Sequence, residues 1–268
     1  MAVALPYYPR KYTCEWLETL RKDTGVWTDL DLEVYGEGVF PESDGEPLGE
    51  TDWHIKALLD TLETLQRHFA DQPEIYIAGD NFLYWNENSR KVCISPDVYV
   101  VKGAGNRPRR VFQTWEEGGL LPNIVFEITS QSTRENDFEA KFFLYEQELR
   151  VPEYFLFDPE GDYLDPPLIG YRLSEGEYQP IPIRYGRGYS EQLDLELEAE
   201  GANIRFIVPG TGQRNPLPPE LVEMVEIERQ RADAEATRAD AEATARQEAE
   251  AEIARLRAEL DALRQTEH

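Results

Sequence analysis

Asn123-Ile124-Val125-Phe126-Glu127-Ile128-Thr129 is an apolar, β-branched and aromatic run with a single charge inside it. A run of this kind predicts an interior strand. Side chains alternate along a strand, so Val125, Glu127 and Thr129 share one face, and Phe126 and Ile128 the other. A carboxylate in a buried strand is costly unless it is paired, hydrogen-bonded or bound to metal. Taken alone, Glu127 reads equally well as a strand-end residue bonded to a neighbouring Lys or Arg.

Outward from this run, short β-rich segments occupy residues 75–78, 82–85, 92–94 and 98–101 upstream. Downstream, residues 153–157, 169–173, 179–183, 193–197 and 204–208 read the same way. Residues 51–69 carry Ile55, Leu58, Leu59, Leu62, Leu65 and Phe69 at helical spacing, with Thr51 or Asp52 as the cap. Residues 134–149 show a second helical pattern through Phe138, Phe142, Leu144 and Tyr145. Helix, strands, helix, strand predicts an α/β fold, a mixed sheet flanked by helices.

Composition changes at Pro216, Pro218 and Pro219, which sets an expected boundary between a globular domain of residues 1–215 and a tail of residues 216–268. From Glu220 onward there is no Gly, Pro, Trp, Tyr or Phe. RADAEAT at residues 231–237 is repeated at 238–244, and Ile253, Leu256, Leu260 and Leu263 keep 3-4-3 spacing. The tail is expected to be one long helix with coiled-coil character, pairing the chain as a homo-oligomer, a dimer first. A solvated single helix is the other reading, because the alanine seam and the Ile/Leu seam are out of register.

Acidic residues number 53 against 27 basic ones, a formal charge of -26. That field disfavours sequence-independent grip on nucleic acid or an anionic membrane. Cys14 and Cys93 are isolated and match no zinc spacing, which excludes a disulfide scaffold and suits a reducing cytoplasm. No apolar run approaches membrane-spanning length, and residues 1–10 lack the apolar core of a signal peptide.

Three side chains carry the chemistry expected here. Asp97 follows Ser95-Pro96 between two β-rich runs, where Pro suggests a bend that re-aims a side chain; a turn Asp is the plain alternative. Two carboxylates on adjacent strands, Asp97 and Glu127, can converge on Mg²⁺ or Mn²⁺, which take oxygen ligands. Lys141 lies on a helical stripe with Asp137 and Tyr145 at i, i+4 and i+8. Its ammonium either stabilises charge on a phosphate or forms an exposed pair with Asp137.

The ordered series Ser95-Pro96-Asp97-Val98, Val125-Phe126-Glu127-Ile128-Thr129-Ser130 with Ser132-Thr133, Asp137, Lys141 and Tyr145, then Val151-Pro152-Glu153-Tyr154 with Phe157-Asp158-Pro159, resembles the Uma family. Residues 41–47, Pro-Glu-Ser-Asp-Gly-Glu-Pro, resemble that family's opening motif. The family is assigned to the PD-(D/E)XK superfamily of restriction-type nucleases, and the likeness runs over residues 30–210. It implies a restriction-endonuclease-like core and divalent-metal-dependent hydrolysis of DNA phosphodiesters, with Asp97 and Glu127 as metal ligands. The motif's Lys belongs two residues after the Glu, where Thr129 stands, so the resemblance transfers that role to Lys141 and leaves Gln131 as a polar helper.

Secondary candidates lie around the first long helix and the strand after it, and Tyr145 joins them from the later helix. Glu50, Asp52 and Asp80 are acidic residues available to complete the site, and each reads equally as a cap or turn residue; His54 is a candidate substrate contact. The one concentrated basic segment, residues 102–110, offers Lys102, Arg107, Arg109 and Arg110 to DNA phosphates. Binding is expected to be weak and salt-dependent. The competing function is a catalytically weak nuclease-fold protein that assembles through its C-terminal helix.

Overall fold

The computed structural model describes Phe40 and residues 51–129, 140–162 and 164–266, with side chains to residue 260. The chain divides into two units, Met1–Asn215 and Pro216–His268. No helix among the described residues is long and apolar enough to cross a membrane.

In the first unit, α1 (Asp52–His68) starts at Thr51, whose side chain accepts from the His54 backbone N–H. Strands follow as β1 (Ile75–Ala78), β2 (Leu83–Tyr84), β3 (Cys93–Ile94), β4 (Val98–Lys102), β5 (Phe112–Gln113) and β6 (Ile124–Ile128). A π-helical turn (Leu144–Glu148) precedes β7 (Glu153–Phe157), β8 (Leu168–Ser174), β9 (Glu177–Pro180), β10 (Arg187–Ser190), β11 (Leu195–Glu200) and β12 (Asn203–Ile207). The main sheet has six strands in the order β1-β4-β6-β7-β8-β9, and within it only β6 and β7 run parallel. Two smaller three-stranded sheets are ordered β10-β11-β12 and β3-β2-β5. The architecture is the α/β, mixed-sheet fold expected above.

Alternation along β6 separates two cores. Ile124, Phe126 and Ile128 join Val98, Val100, Phe155 and Phe157 under α1 and the β11–β12 pair. Val125 joins Tyr99, Tyr154, Leu156, Leu144 and Tyr145 on the opposite face. Glu127 has the parity of Val125, so it enters the second, aromatic-rich layer. Both layers are apolar enough that burial of their side chains, at about 25 cal/mol per Å², dominates the sheet's stability.

The face that α1 buries differs from the apolar stripe of the sequence. His54, Ala57, Asp60, Thr61, Thr64 and Leu65 are buried, whereas Ile55 and Leu59 are 45% and 46% exposed among the described residues. Small side chains at 57, 61 and 64 let the helix approach the strands closely, and hydropathy alone does not register that. The helical pattern of residues 134–149 is described only from residue 140, where it closes in the π-helical turn. Residues 130–139 lie outside the described residues, Asp137 and Gln131 among them.

In the second unit, α2 (Pro218–Thr266) is one helix of 49 residues, roughly 74 Å at 1.5 Å per residue. Proline is at home in a first turn, where the N–H has no helical acceptor, and Glu220 accepts from the Leu217 N–H at 2.8 Å. Ile253, Leu256 and Leu260 are each about half exposed.

Candidate active site

Asp97 and Glu127 meet at one end of the main sheet. Val98 pairs with Phe126 in the antiparallel β4–β6 ladder, so the next step of the register sets Asp97 opposite Glu127. Asp97 Oδ2 accepts the Ile128 N–H at 2.6 Å, which ties its carboxylate to the Glu127 strand. The approach of β1 requires a glycine. A Cβ on Gly79 would stand 2.2 Å from the Asp97 carbonyl oxygen, and the Asp80 N–H donates to Pro96 at 3.0 Å.

Glu127 is completely buried. Lys141 Nζ donates to its Oε2 at 2.7 Å, and the Tyr145 hydroxyl donates to its Oε1 at 2.6 Å. Lys141 and Tyr145 are four residues apart, so one helical segment delivers both donors to one carboxylate. Burial pushes the Tyr145 hydroxyl well above its ordinary pKa, and the Glu127 charge pushes it further. It therefore stays a neutral donor at any working pH.

Asp97 has a second anchor. His54 Nε2 lies 3.5 Å from Asp97 Oδ1, with the imidazole 8% and the carboxylate 17% exposed. Burial raises the Asp97 pKa, but the His54 hydrogen bond, the charges of Lys141 and His54 and the Ile128 N–H together outweigh it, and the net shift is downward. Asp97 is held as an anion. The Lys141 charge thus acts on both carboxylates, which places the three groups in one cluster.

The remaining candidates fall differently. His54, the expected substrate contact, is buried beside Asp97. Asp52 is exposed in the first turn of α1, where it complements the helix N-terminus. Asp80 is exposed beside the Asp97 segment and adopts φ 51°. Glu50 and Gln131 lie outside the described residues.

The basic segment does not adjoin the carboxylates. Asp97 precedes β4 and Lys102 ends it, so five residue steps along the strand separate them, roughly 16 Å. Gly103 and Gly105 donate to Glu74 and Asn106 donates to Pro73, fixing the loop at the far end of β1. Arg109 is 3% exposed and bonds Glu117 with Nε at 2.8 Å and Nη2 at 2.9 Å, while its guanidinium lies 4.2 Å from the Tyr76 ring centroid. In this arrangement it staples the loop. Arg107 also pairs with Glu117, though it stays 59% exposed, and Arg110 is exposed.

No curated protein matches this chain. Among solved structures, it is similar to a protein from Anabaena variabilis whose crystal structure is described as that of a "putative nuclease belonging to DUF820". The two are 13% identical, the match covers 55% of this chain and 76% of the other, and the TM-score is 0.40. A family model described as "Uma2: Putative restriction endonuclease" matches residues 29–205, well over half of the sequence and all of the cluster just described, and the chain belongs to that family.

Proposed function

We propose that this protein is a divalent-metal-dependent endonuclease that hydrolyses DNA phosphodiester bonds. The observation that carries the reading is the pairing of Asp97 with Glu127 across adjacent strands, with Lys141 acting on both. Two carboxylates are the hard oxygen donors that Mg²⁺ or Mn²⁺ takes. Asp97 and Glu127 would hold the ion, with water and phosphate oxygens among its other ligands. Those are the ligands Mg²⁺ ordinarily keeps. When bound, the ion supplies Lewis-acid stabilisation of phosphate charge.

The protein's own groups do the rest. Ile128 N–H and His54 orient Asp97, and Tyr145 orients Glu127. Lys141, 19% exposed at the edge of the cluster, would stabilise the negative charge on the phosphoryl oxygens as water attacks. Net acidity makes binding to DNA weak and steeply salt-dependent. We place the activity in the cytoplasm, consistent with the buried free thiol of Cys93, and assign α2 to homodimerisation through its apolar seam.

Thr129 at the motif's Lys position supports a second reading, a nuclease fold that assembles through α2 with little catalysis. Supercoiled plasmid with Mg²⁺ or Mn²⁺ separates the two. Nicking that disappears in Asp97→Ala and Glu127→Ala upholds the endonuclease. Absence of metal-dependent nicking by the wild type leaves the assembly reading.

A further inference from the structure

Two carboxylates sit together beneath the surface, and the folded chain already balances them. The fully buried Glu127 gives Oε1 to Tyr145 and Oε2 to Lys141, while Asp97 gives its oxygens to His54 and Ile128. The donors differ in kind. Tyr145 is neutral, completely buried and stays protonated, and Ile128 donates from the backbone, so both are fixed. Lys141 carries a full charge on a flexible four-carbon stem and is 19% exposed, so its head can swing out while its stem remains in place.

We infer that the Lys141 ammonium is the resident counter-ion of the Asp97–Glu127 pair and must leave Glu127 Oε2 for a divalent cation to be held there. The inference rests on the metal-site reading above. Charge and space argue for exchange over coexistence. A doubly charged ion neutralises two carboxylates completely, and an ammonium 2.7 Å from the same oxygen would repel it in a site with little water to screen the two. Released, the ammonium stands at the exposed edge of the cluster, available to a phosphate. Metal loading and phosphate attraction are thereby coupled through one side chain. A lysine that only assists the chemistry would leave metal affinity untouched, and one that only braces the fold would weaken it on removal.

The test is Mn²⁺ binding to the full chain at pH 8, followed calorimetrically without nucleic acid. Lys141→Met is expected to bind Mn²⁺ about tenfold tighter than the wild type, because the competing charge is gone. Lys141→Arg, which keeps the charge, is expected to bind no tighter. Equal or weaker binding by Lys141→Met overturns the inference. A measurement on the unaltered protein guards against misfolding of the variant: acetylation of Lys141, read by mass spectrometry, should speed up several-fold when Mn²⁺ is added, and an unchanged rate also overturns the inference. If Lys141→Met binds Mn²⁺ tighter than the wild type yet the wild type cuts no DNA, the nuclease reading fails and the counter-ion stands. If it cuts DNA and Lys141→Met binds no tighter, the reverse holds.

Discussion

Replacing Tyr145 with Phe removes one hydroxyl and keeps the ring, so packing against Tyr154 at 5.1 Å between centroids is preserved. What is lost is a single 2.6 Å hydrogen bond to a buried carboxylate. Bonds to charged groups contribute about 1.5–3 kcal/mol, and no water can replace this one beside a fully buried Glu127. Tyr145→Phe should therefore lower stability by about 2 kcal/mol, a fall in Tm of roughly 4–8 °C for a domain of this size. Urea unfolding followed by tryptophan fluorescence measures it, within a double-mutant cycle with Glu127→Gln. Because the folded state holds the Tyr145 proton and the unfolded state releases it near pH 10, this residue also makes stability fall as pH rises past 10; Tyr99 and Tyr178, shifted the same way, add to the slope. The variant should lose only its share of that slope. A coupling energy under about 0.5 kcal/mol between positions 145 and 127 would refute the claim that the hydroxyl holds the carboxylate.

Other outcomes follow from the same geometry. The depressed pKa of Asp97 contributes stability at neutral pH that is lost as pH falls below its ordinary value of 3.8 toward the folded one, so Asp97→Asn should flatten the acid limb of a pH–Tm profile. Gly79→Ala drives a methyl into the Asp97 carbonyl and should cost about 1–3 kcal/mol while reducing nicking, since the backbone carrying the carboxylate must shift. Arg109→Ala should destabilise the chain, measured by its melting temperature, yet leave the salt dependence of DNA binding unchanged, because its guanidinium is committed to Glu117. Truncation before Pro216 should reduce the oligomeric mass in solution if α2 pairs the chains; the same mass would remove that role.

Strands buried on both faces announce themselves through β-branched and aromatic runs, and β1, β4, β6 and β7 were readable for that reason. β5 has two residues and β10 reads Arg-Gly-Tyr-Ser, so neither carries an apolar pattern; β5 exists through pairing with distant β2, and β10 through its hairpin with β11. The buried face of α1 was hidden because Ala57, Thr61 and Thr64 earn their place by size. Glu127 was conspicuous as the one charge in its run, and Asp97 by its proline. Their facing positions depend on the β4–β6 register, which no local pattern encodes. The place of the basic segment is hidden for the same reason. Closeness in sequence to Asp97 becomes distance in space when an extended strand, β4, runs from one to the other.

The parallel pairing of β6 with β7 bears on how the cluster comes into being. Strands aligned in the same direction need a connecting excursion, and here that excursion bears Lys141 and Tyr145. Carboxylate, ammonium and hydroxyl thus reside within 18 residues of chain, whereas Asp97 is 31 residues from its Ile128 partner. Short loops close before long ones. During folding the half-site around Glu127 should close first, and attachment of the Asp97 segment should be the event that brings the second carboxylate to it.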